Sequence, residues 1–266
     1  MTIKQLIIDM DGVLWHGETP LPSLNEFFET LETLKLPFVL ATNNATKTTE
    51  QYLEKFERFG LKVEPKQILT SAVATASYAR STYPFARTAF LIADDGLQQA
   101  MTLEGFERVL PNVVAEGGKA ELVVGGLSRN VTYQDFAMAT VLVRQGVPFL
   151  ISNGDKTFPS EWGLLPGAGS VLSVITMATG VEPTVVGKPE PIMFEEALKR
   201  LSAKPQETLM VGDRLDTDIL GAQRLGIQTA LVLSGVSRRE DVEAVESKPD
   251  LVVEDIAALG QILVKR

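Results

Sequence analysis

The sequence contains no cysteine, and this absence excludes disulfide bonds and thiol chemistry. It has no apolar run of membrane-spanning length, and its N-terminus lacks the basic segment, apolar core and small-residue cleavage site of a secretory signal. Positive charge is scarce, because 25 Lys and Arg residues against 34 Asp and Glu residues give a net charge of −9. This balance argues against an electrostatic nucleic-acid binder. We therefore expect a cytoplasmic protein with neither a membrane nor a nucleic-acid partner.

The remaining composition is typical of a globular protein. The chain has 266 residues, 45% of them hydrophobic, which is enough for one large domain or two smaller ones. Apolar runs typical of buried strands alternate with segments whose apolar residues recur at helical spacing. This alternation predicts the α/β class, with parallel sheets covered by helices.

The alternation falls into three blocks, and the middle block interrupts the other two. In the first and third blocks polar clusters follow the predicted strands, and open parallel sheets bind ligands just outside the carboxyl ends of their strands. We assign residues 1–79 and 182–266 to a three-layer α/β/α, Rossmann-like core with a parallel sheet. Residues 80–181 are predicted to form an inserted α/β domain. Within it, the segment from Pro159 to Gly169 is rich in Gly and Pro and is predicted to be a loop.

The first predicted strand, Leu6 to Asp9, carries the strongest chemical signal. Asp9 and Asp11 follow an apolar run, and their spacing puts both carboxylates on one side of an extended backbone. Two such carboxylates repel each other unless a cation lies between them or they share a proton. Taken alone, a turn or a helix cap explains such a pair most simply. With further acidic residues elsewhere, the pair indicates a metal and acid–base site.

Further polar groups follow other predicted strands or lie in loops. Thr42 and Asn43 come after the second strand, Lys188 precedes a proline, and Asp213 follows a strand of the third block. Carboxylate oxygens, with no cysteine and a single histidine in the chain, favour Mg²⁺ over Zn²⁺ or copper. A lysine, a hydroxyl and backbone N–H groups beside such a cation would hold phosphate oxygens. These residues therefore indicate phosphoryl transfer.

The order of these motifs resembles that of the haloacid dehalogenase superfamily of phosphohydrolases. The four motifs are Asp9-Met10-Asp11-Gly12-Val13-Leu14, Thr42-Asn43-Asn44, Gly187-Lys188-Pro189 and Gly212-Asp213-Arg214-Leu215-Asp216-Thr217-Asp218. The Thr-Asn-Asn form and the insertion between the second and third motifs are similar to the NagD and para-nitrophenyl phosphatase branch. The segments from Ile151 to Asp155 and from Gly163 to Gly169 match that branch as well.

This resemblance implies a role for each acidic residue of the motifs. Asp9 would be the nucleophile that forms an aspartyl-phosphate, and Asp11 the general acid and then the general base. Mg²⁺ would be bound by Asp9, Asp213 and the backbone carbonyl of Asp11. Asp218 would support the metal through its waters or orient Lys188.

The resemblance also implies which residues bind the substrate. The expected phosphate-binding residues are Gly12, Thr42, Asn43 and Lys188, and the expected substrate contacts on the inserted domain are Asn153 and Asp155. Related enzymes often form dimers through this domain, so a homodimer is expected. Two tryptophans, Trp15 and Trp162, are predicted to be packing residues, and the single histidine, His16, to lie on the surface or in a hairpin.

The predicted function is a Mg²⁺-dependent phosphatase that hydrolyses a small organic phosphate monoester. The alternatives are a phosphomutase or another phosphotransferase of this superfamily, and a phosphate-binding module without turnover. The substrate stays open among sugar phosphates, nucleoside monophosphates, phosphoglycolate, glycerol phosphate and pyridoxal phosphate.

Overall fold

The structure is a computed structural model that describes residues 3–265. The strands are β1 (Gln5–Ile8), β2 (Trp15–His16), β3 (Thr19–Pro20), β4 (Phe38–Thr42), β5 (Ile68–Thr70), β6 (Thr88–Ile92), β7 (Glu107–Val109), β8 (Leu122–Gly125), β9 (Phe149–Ile151), β10 (Thr157–Ser160), β11 (Gly163–Pro166), β12 (Thr184–Val185), β13 (Thr208–Gly212), β14 (Gln228–Val232) and β15 (Leu251–Val253). The helices are α1 (Leu24–Thr33), α2 (Thr49–Arg58), α3 (Ser71–Thr82), α4 (Asp95–Leu103), α5 (Pro111–Ala115), α6 (Tyr133–Arg144), α7 (Ala168–Thr179), α8 (Pro191–Leu201), α9 (Leu220–Arg224), α10 (Arg239–Ala244) and α11 (Ile256–Val264). None of these helices is both long and apolar enough to cross a membrane.

The described residues divide into two compact units by their contacts. Unit 1 contains the residues up to Thr42, then Tyr52–Leu69, then those from Lys188 onward, and unit 2 contains Asn43–Gln51 and Thr70–Gly187. Helix α3 belongs to unit 2 because its buried alanines share one apolar cluster with residues of α4. The domain boundaries at residues 80 and 181 stay a prediction.

Unit 1 is built on a six-stranded sheet in the order β15-β14-β13-β1-β4-β5. Strand β1 pairs in parallel with β13 on one side and with β4 on the other, and β14 and β15 continue the parallel pairing beyond β13. Parallel neighbours require crossover connections, which the helices supply. The predicted α/β class is therefore confirmed. Since β13, β1 and β4 are adjacent and parallel, their carboxyl ends meet at one edge of the sheet.

The core of unit 1 follows from the apolar pattern of its elements. All four residues of β1 are buried, as expected for a central strand that is covered on both faces. Helix α1 buries its apolar positions at helical spacing, among them Leu24, Phe27 and Leu31. An aromatic group joins this core, in which the rings of Trp15 and Phe56 meet edge to face with centroids 5.1 Å apart.

Unit 2 contains a second parallel sheet and a hairpin where the sequence pattern predicted a loop. Its five strands run in the order β12-β9-β8-β6-β7, with parallel pairing throughout. The loop predicted between Pro159 and Gly169 is wrong, because β10 and β11 form an antiparallel hairpin there. Gly163 takes a positive φ of 108° beside the turn, and a two-stranded ribbon tolerates Pro159 because both of its strands are edges.

Candidate active site

Three predicted site residues lie at neighbouring strand ends of unit 1. Asp9 directly follows β1, Thr42 is the last residue of β4, and Asp213 directly follows β13. All three are buried. Because the three strands are adjacent and parallel, the sheet brings these residues to one edge, although Asp9 and Asp213 are 204 positions apart in the chain.

Lys188 is buried among the carboxylates of this edge. Its Nζ donates to Asp9 Oδ1 at 2.5 Å and to the backbone carbonyl of Ala41 at 3.1 Å. Its Nζ also lies 2.7 Å from Asp218 Oδ1 in an ion pair. An ammonium group that is only 3% exposed requires such partners, because burial of an unpaired charge is strongly unfavourable.

Asp213 and Asp218 complete an acidic cluster with Asp9. One carboxylate oxygen from each of the three lies within 4.8 Å of the others. Asp213 Oδ2 accepts the backbone N–H of Val236 at 2.7 Å, whereas its Oδ1 is buried with no hydrogen-bond partner among residues 3–265. We name the three carboxylates and the Lys188 ammonium the carboxylate cluster. It carries two more negative charges than positive ones when all its groups are ionised.

A wide helical turn returns Asp218 to the cluster. Residues Leu215–Ile219 form a π-helical turn in which the N–H of Ile219 donates to the carbonyl of Arg214 at 3.2 Å. Such turns are rare and are found often at functional sites. Gly212 is required beside this turn, because a Cβ atom there would lie 2.5 Å from Asp218 Cγ. The last motif of the sequence therefore places its first and last aspartates together.

The electrostatics of the cluster reflect its excess of buried carboxylates. Burial raises the pKa of Asp9 well above its usual range, and the nearby Lys188 charge only partly opposes this. Burial and then the charge of Asp218 raise the pKa of Asp213 to about 7. For Lys188 burial works against the charged form, but the charges of Asp218 and Asp9 outweigh it and raise its pKa. With three carboxylates and one ammonium group, the cluster therefore has an excess of negative charge when its groups are ionised.

Gly12 allows the turn after β1 to approach Asp213. Its φ is +83°, a conformation that side chains rarely adopt, and a Cβ atom there would lie 2.5 Å from Asp213 Oδ2. Its carbonyl accepts a hydrogen bond from Ser234 Oγ at 2.8 Å. This turn is therefore attached to the loop that follows β14, beside the acidic cluster.

Asp11 does not join the carboxylate cluster. Asp11 is exposed, and its Oδ1 accepts a hydrogen bond from the indole N–H of Trp15 at 2.8 Å. The expectation that Asp9 and Asp11 share one side of an extended strand is not met. The strand ends at Ile8, and a tight turn begins at Met10, whose carbonyl accepts the N–H of Leu14 at 2.8 Å. The carbonyl of Asp11 as a metal ligand stays a prediction.

The predicted substrate-binding residues of unit 2 are hydrogen-bonded to one another. Asn43 Nδ2 donates to Asp155 Oδ1 at 3.1 Å, and Asn153 Nδ2 donates to the carbonyl of Asn43 at 2.8 Å. The hydroxyl of Ser71 donates to the same carbonyl. These contacts assign Asn153 and Asp155 a part in holding Asn43 in place. Direct contact of the three residues with a substrate stays a prediction.

The sequence pattern missed the contribution of helix α2 to unit 1. Its Tyr52 is buried, and burial and then the charge of Asp11 raise the pKa of the Tyr52 phenol. Its Lys55 is also buried, and the Lys55 Nζ lies 4.1 Å from the centroid of the Trp15 ring. The sequence signal that could have revealed Tyr52 and Lys55 is the position of Lys55 within the apolar face of the helix that follows the Thr42-Asn43-Asn44 motif.

The two tryptophans and the histidine have different surroundings. Trp15 is fully buried in the core of unit 1, which agrees with its predicted packing role. Trp162 is 81% exposed beside the turn of the β10–β11 hairpin, so its predicted packing role is wrong. The reason is that this hairpin stands outside the parallel sheet. His16 lies exposed in the β2–β3 hairpin, as expected.

The chain is similar to known proteins of one family. The model of haloacid dehalogenase-like hydrolases matches residues 6–107, and a HAD-hydrolase-like model matches residues 185–259. The chain is 35% identical over 255 residues to the 5'-nucleotidase YutF of Bacillus subtilis, covering 96% of each chain. It is 37% identical over 253 residues to an acid sugar phosphatase of Staphylococcus aureus, covering 95% of each. The solved structure of NagD from Escherichia coli K-12 superposes with a TM-score of 0.88 at 31% identity, covering 97% of this chain and 98% of that one.

The chain therefore belongs to the haloacid dehalogenase superfamily of hydrolases. Within that superfamily it is a phosphoric monoester hydrolase of the NagD-like branch. The resemblance that the four sequence motifs indicated is confirmed.

Proposed function

We propose that the protein is a Mg²⁺-dependent phosphatase that hydrolyses small organic phosphate monoesters through an aspartyl-phosphate on Asp9. The observation that carries this proposal is the carboxylate cluster, in which Lys188 is paired with Asp9 and Asp218 while one oxygen of Asp213 has no hydrogen-bond partner among the residues that the structure describes. A carboxylate nucleophile, a fixed cation for the phosphoryl oxygens and spare carboxylate oxygens for a metal are the parts that phosphoryl transfer requires.

The donor set of the cluster fits Mg²⁺. All its ligand atoms are carboxylate oxygens, they lie within reach of one ion, and the buried Asp213 Oδ1 lacks a hydrogen-bond partner within the described range 3–265. Mg²⁺ prefers oxygen ligands and usually keeps waters and phosphate oxygens in its coordination. Asp9 and Asp213 would hold the ion, together with the backbone carbonyl of Asp11. A bound Mg²⁺ would offset the excess negative charge and attract the phosphate of the substrate.

Each residue of the site then has a defined part in the reaction. An oxygen of Asp9 attacks phosphorus, and the bond from phosphorus to the ester oxygen breaks while Asp11 gives that oxygen a proton. Asp11, now a carboxylate, takes a proton from the water that hydrolyses the aspartyl-phosphate. Lys188 and Thr42 hold the phosphoryl oxygens, and Asp218 orients Lys188. Gly12 and Asn43 are proposed to supply further contacts to the phosphate.

The names of the relatives suggest which esters to test first. One relative is called a 5'-nucleotidase and another an acid sugar phosphatase. We therefore propose that the substrate is a nucleoside 5'-monophosphate or a sugar phosphate. A cytoplasmic location and a homodimer also stay predictions.

A panel of phosphomonoesters tests the proposed function. We expect release of inorganic phosphate from para-nitrophenyl phosphate and from members of both ester classes, in each case dependent on added Mg²⁺. Ranking by kcat/KM at low substrate concentration identifies the preferred class. Migration of the phosphate without its release would instead indicate a phosphomutase. Absence of Mg²⁺-dependent hydrolysis across the whole panel would contradict the proposal and favour a binding module.

Replacement of Asp213 by asparagine tests the metal site without an activity assay. Saturating Mg²⁺ is expected to raise the melting temperature of the wild-type protein by about 5–10 °C, since a ligand at 100 times its Kd contributes about 2.7 kcal/mol. The Asp213→Asn variant should lose most of this rise because it lacks one ligand charge. An equal rise in both proteins, measured by differential scanning calorimetry, would remove Asp213 from the proposed site.

Without metal, Asp213→Asn is expected to be more stable than the wild-type protein. The pKa of Asp213 is raised to about 7 in the folded state, so its charge destabilises the fold above that pH and not below the ordinary value of 3.8. In EDTA at pH 8, Asp213→Asn should therefore exceed wild type in free energy of unfolding, by about 1–3 kcal/mol. The difference should shrink as the pH falls from 8 towards 4.

A further inference from the structure

A hydrogen bond links the carboxylate of the exposed Asp11 to a fully buried side chain. The indole N–H of Trp15 donates to Asp11 Oδ1 at 2.8 Å, and Trp15 is 0% exposed. Asp11 is the residue to which the proposed function gives the proton transfers. An exposed aspartate can rotate about two side-chain bonds, so its orientation depends on such partners.

The indole of Trp15 is held from several directions. Its ring contacts Phe56 edge to face, with centroids 5.1 Å apart, and lies near Phe59 with centroids 5.9 Å apart. The Lys55 ammonium lies over its face at 4.1 Å and donates to the carbonyl of Gly17 at 2.6 Å. Aromatic packing and a cation over the ring both restrict the ring plane. The direction of the indole N–H is therefore fixed by the core of unit 1.

The backbone brings the two residues side by side. The N–H of Gly12 donates to the carbonyl of Trp15 at 2.8 Å, which closes the turn between them. Asp11 and Trp15 form a backbone bridge at the same place. Thus both the main chain and the side chain of Trp15 determine where the carboxylate of Asp11 lies.

We propose that Trp15 is a positioning residue for the reaction, which holds the Asp11 carboxyl group where it can give its proton to the leaving alcohol. This inference rests on the proposed function, in which Asp11 is the general acid. The physical reason is that a proton donor contributes fully only when it is held in the geometry of the reaction. Trp15 is 0% exposed, so this role does not require contact of its ring with the ester or the phosphate.

The leaving group of the substrate provides the test. Nitrophenolate leaves readily without a proton, whereas an alkoxide requires one. The ratio of kcat/KM for para-nitrophenyl phosphate to that for a primary alkyl phosphate therefore measures proton donation by Asp11. Because kcat/KM covers only the steps up to the aspartyl-phosphate, the later action of Asp11 as a base does not enter. We expect Trp15→Phe, which keeps an aromatic ring but removes the N–H, to raise this ratio about tenfold.

Two further variants separate positioning from loss of packing. Phe59→Leu loosens the packing on the same indole but leaves the N–H in place, so it should change both kcat/KM values by one factor and leave their ratio unchanged. In an Asp11→Asn background, which raises the ratio by itself, Trp15→Phe should add no further increase. A ratio in Trp15→Phe equal to that in Phe59→Leu, or lower than in wild type, would overturn the positioning proposal.

The outcome also distinguishes this proposal from the proposed function. If Asp11→Asn leaves the ratio unchanged, Asp11 is not the general acid and the proposed function fails at that residue. If Asp11→Asn raises the ratio and Trp15→Phe does not, only the positioning proposal fails. Should Trp15→Phe not fold, benzothienylalanine in place of Trp15, in a Trp162→Phe background, keeps the ring shape and replaces the N–H by sulfur. The same tenfold rise is expected there, and an unchanged ratio would overturn the proposal.

Discussion

Replacement of Asp9 by asparagine is expected to lower kcat for every phosphomonoester by about 10⁴-fold or more, while the fold is retained. The amide has nearly the same shape as the carboxylate but cannot form the aspartyl-phosphate. The fold should tolerate the change because Lys188 keeps its contacts with Asp218 and with the carbonyl of Ala41. Because the pKa of Asp9 is already raised by burial, a neutral side chain at this position is not strongly disfavoured.

The measurement is release of inorganic phosphate in a steady-state assay, combined with circular dichroism and thermal unfolding to verify the fold. Asp216→Asn is the matched control, because Asp216 belongs to the same motif but pairs with Arg214 at the surface. The control should retain activity within about twofold, since exposed ion pairs contribute little. Turnover by Asp9→Asn close to that of wild type would remove Asp9 from its role as nucleophile.

Replacement of Lys188 by methionine is expected to lower both activity and stability. Methionine has a similar length but no charge, so the buried carboxylates of Asp9 and Asp218 lose their shared ammonium. Removal of one partner from a buried ion pair typically destabilises a protein by about 3–5 kcal/mol. Activity should fall by at least about 10²-fold, because a fixed cation for the phosphoryl group is removed from a buried site.

The stability of this variant is measured by denaturant unfolding, and two further variants serve as controls for this measurement. Lys199→Met makes the same change at an exposed position of α8 and should alter stability by less than about 0.5 kcal/mol. The double variant Lys188→Met with Asp218→Asn removes one carboxylate along with the cation, so it should regain part of the lost stability. Its activity should stay low, because the phosphate-binding cation is still absent. Equal stability of Lys188→Met and wild type would argue against the ion pairs as the reason for burying Lys188.

Much of the sheet could be predicted from local patterns because those patterns are strong in central elements. The run from Leu6 to Ile8 is apolar at every position and ends at an aspartate, and the structure has β1 over Gln5–Ile8. Helix α1 spans Leu24–Thr33, and its apolar residues recur at the spacing that predicts a helix with one buried face. In both elements most buried positions are apolar, so the pattern of apolar residues in the sequence indicates the type and the extent of the element.

Edge strands and turns were predicted less well. Their residues are determined by local backbone geometry and not by burial of one face, so they show no apolar periodicity. Pro159 and Gly163 indicated a loop but lie in the β10–β11 hairpin. The spacing of Asp9 and Asp11 indicated two carboxylates on one side, but the chain leaves the extended conformation at Met10. In each instance the deciding contact is a turn hydrogen bond or a cross-strand pairing, which side-chain periodicity does not report.

By itself the sequence determined the α/β class, the order of the four motifs and the chemical type of the site, because strand burial and oxygen-rich polar clusters are local properties. Only the tertiary structure decided that Lys188 lies between Asp9 and Asp218, and that Asp213 has a buried oxygen without a hydrogen-bond partner among residues 3–265. The physical reason is distance along the chain. Contacts between residues up to about two hundred positions apart depend on which strands become neighbours, and strand order is a property of the whole sheet.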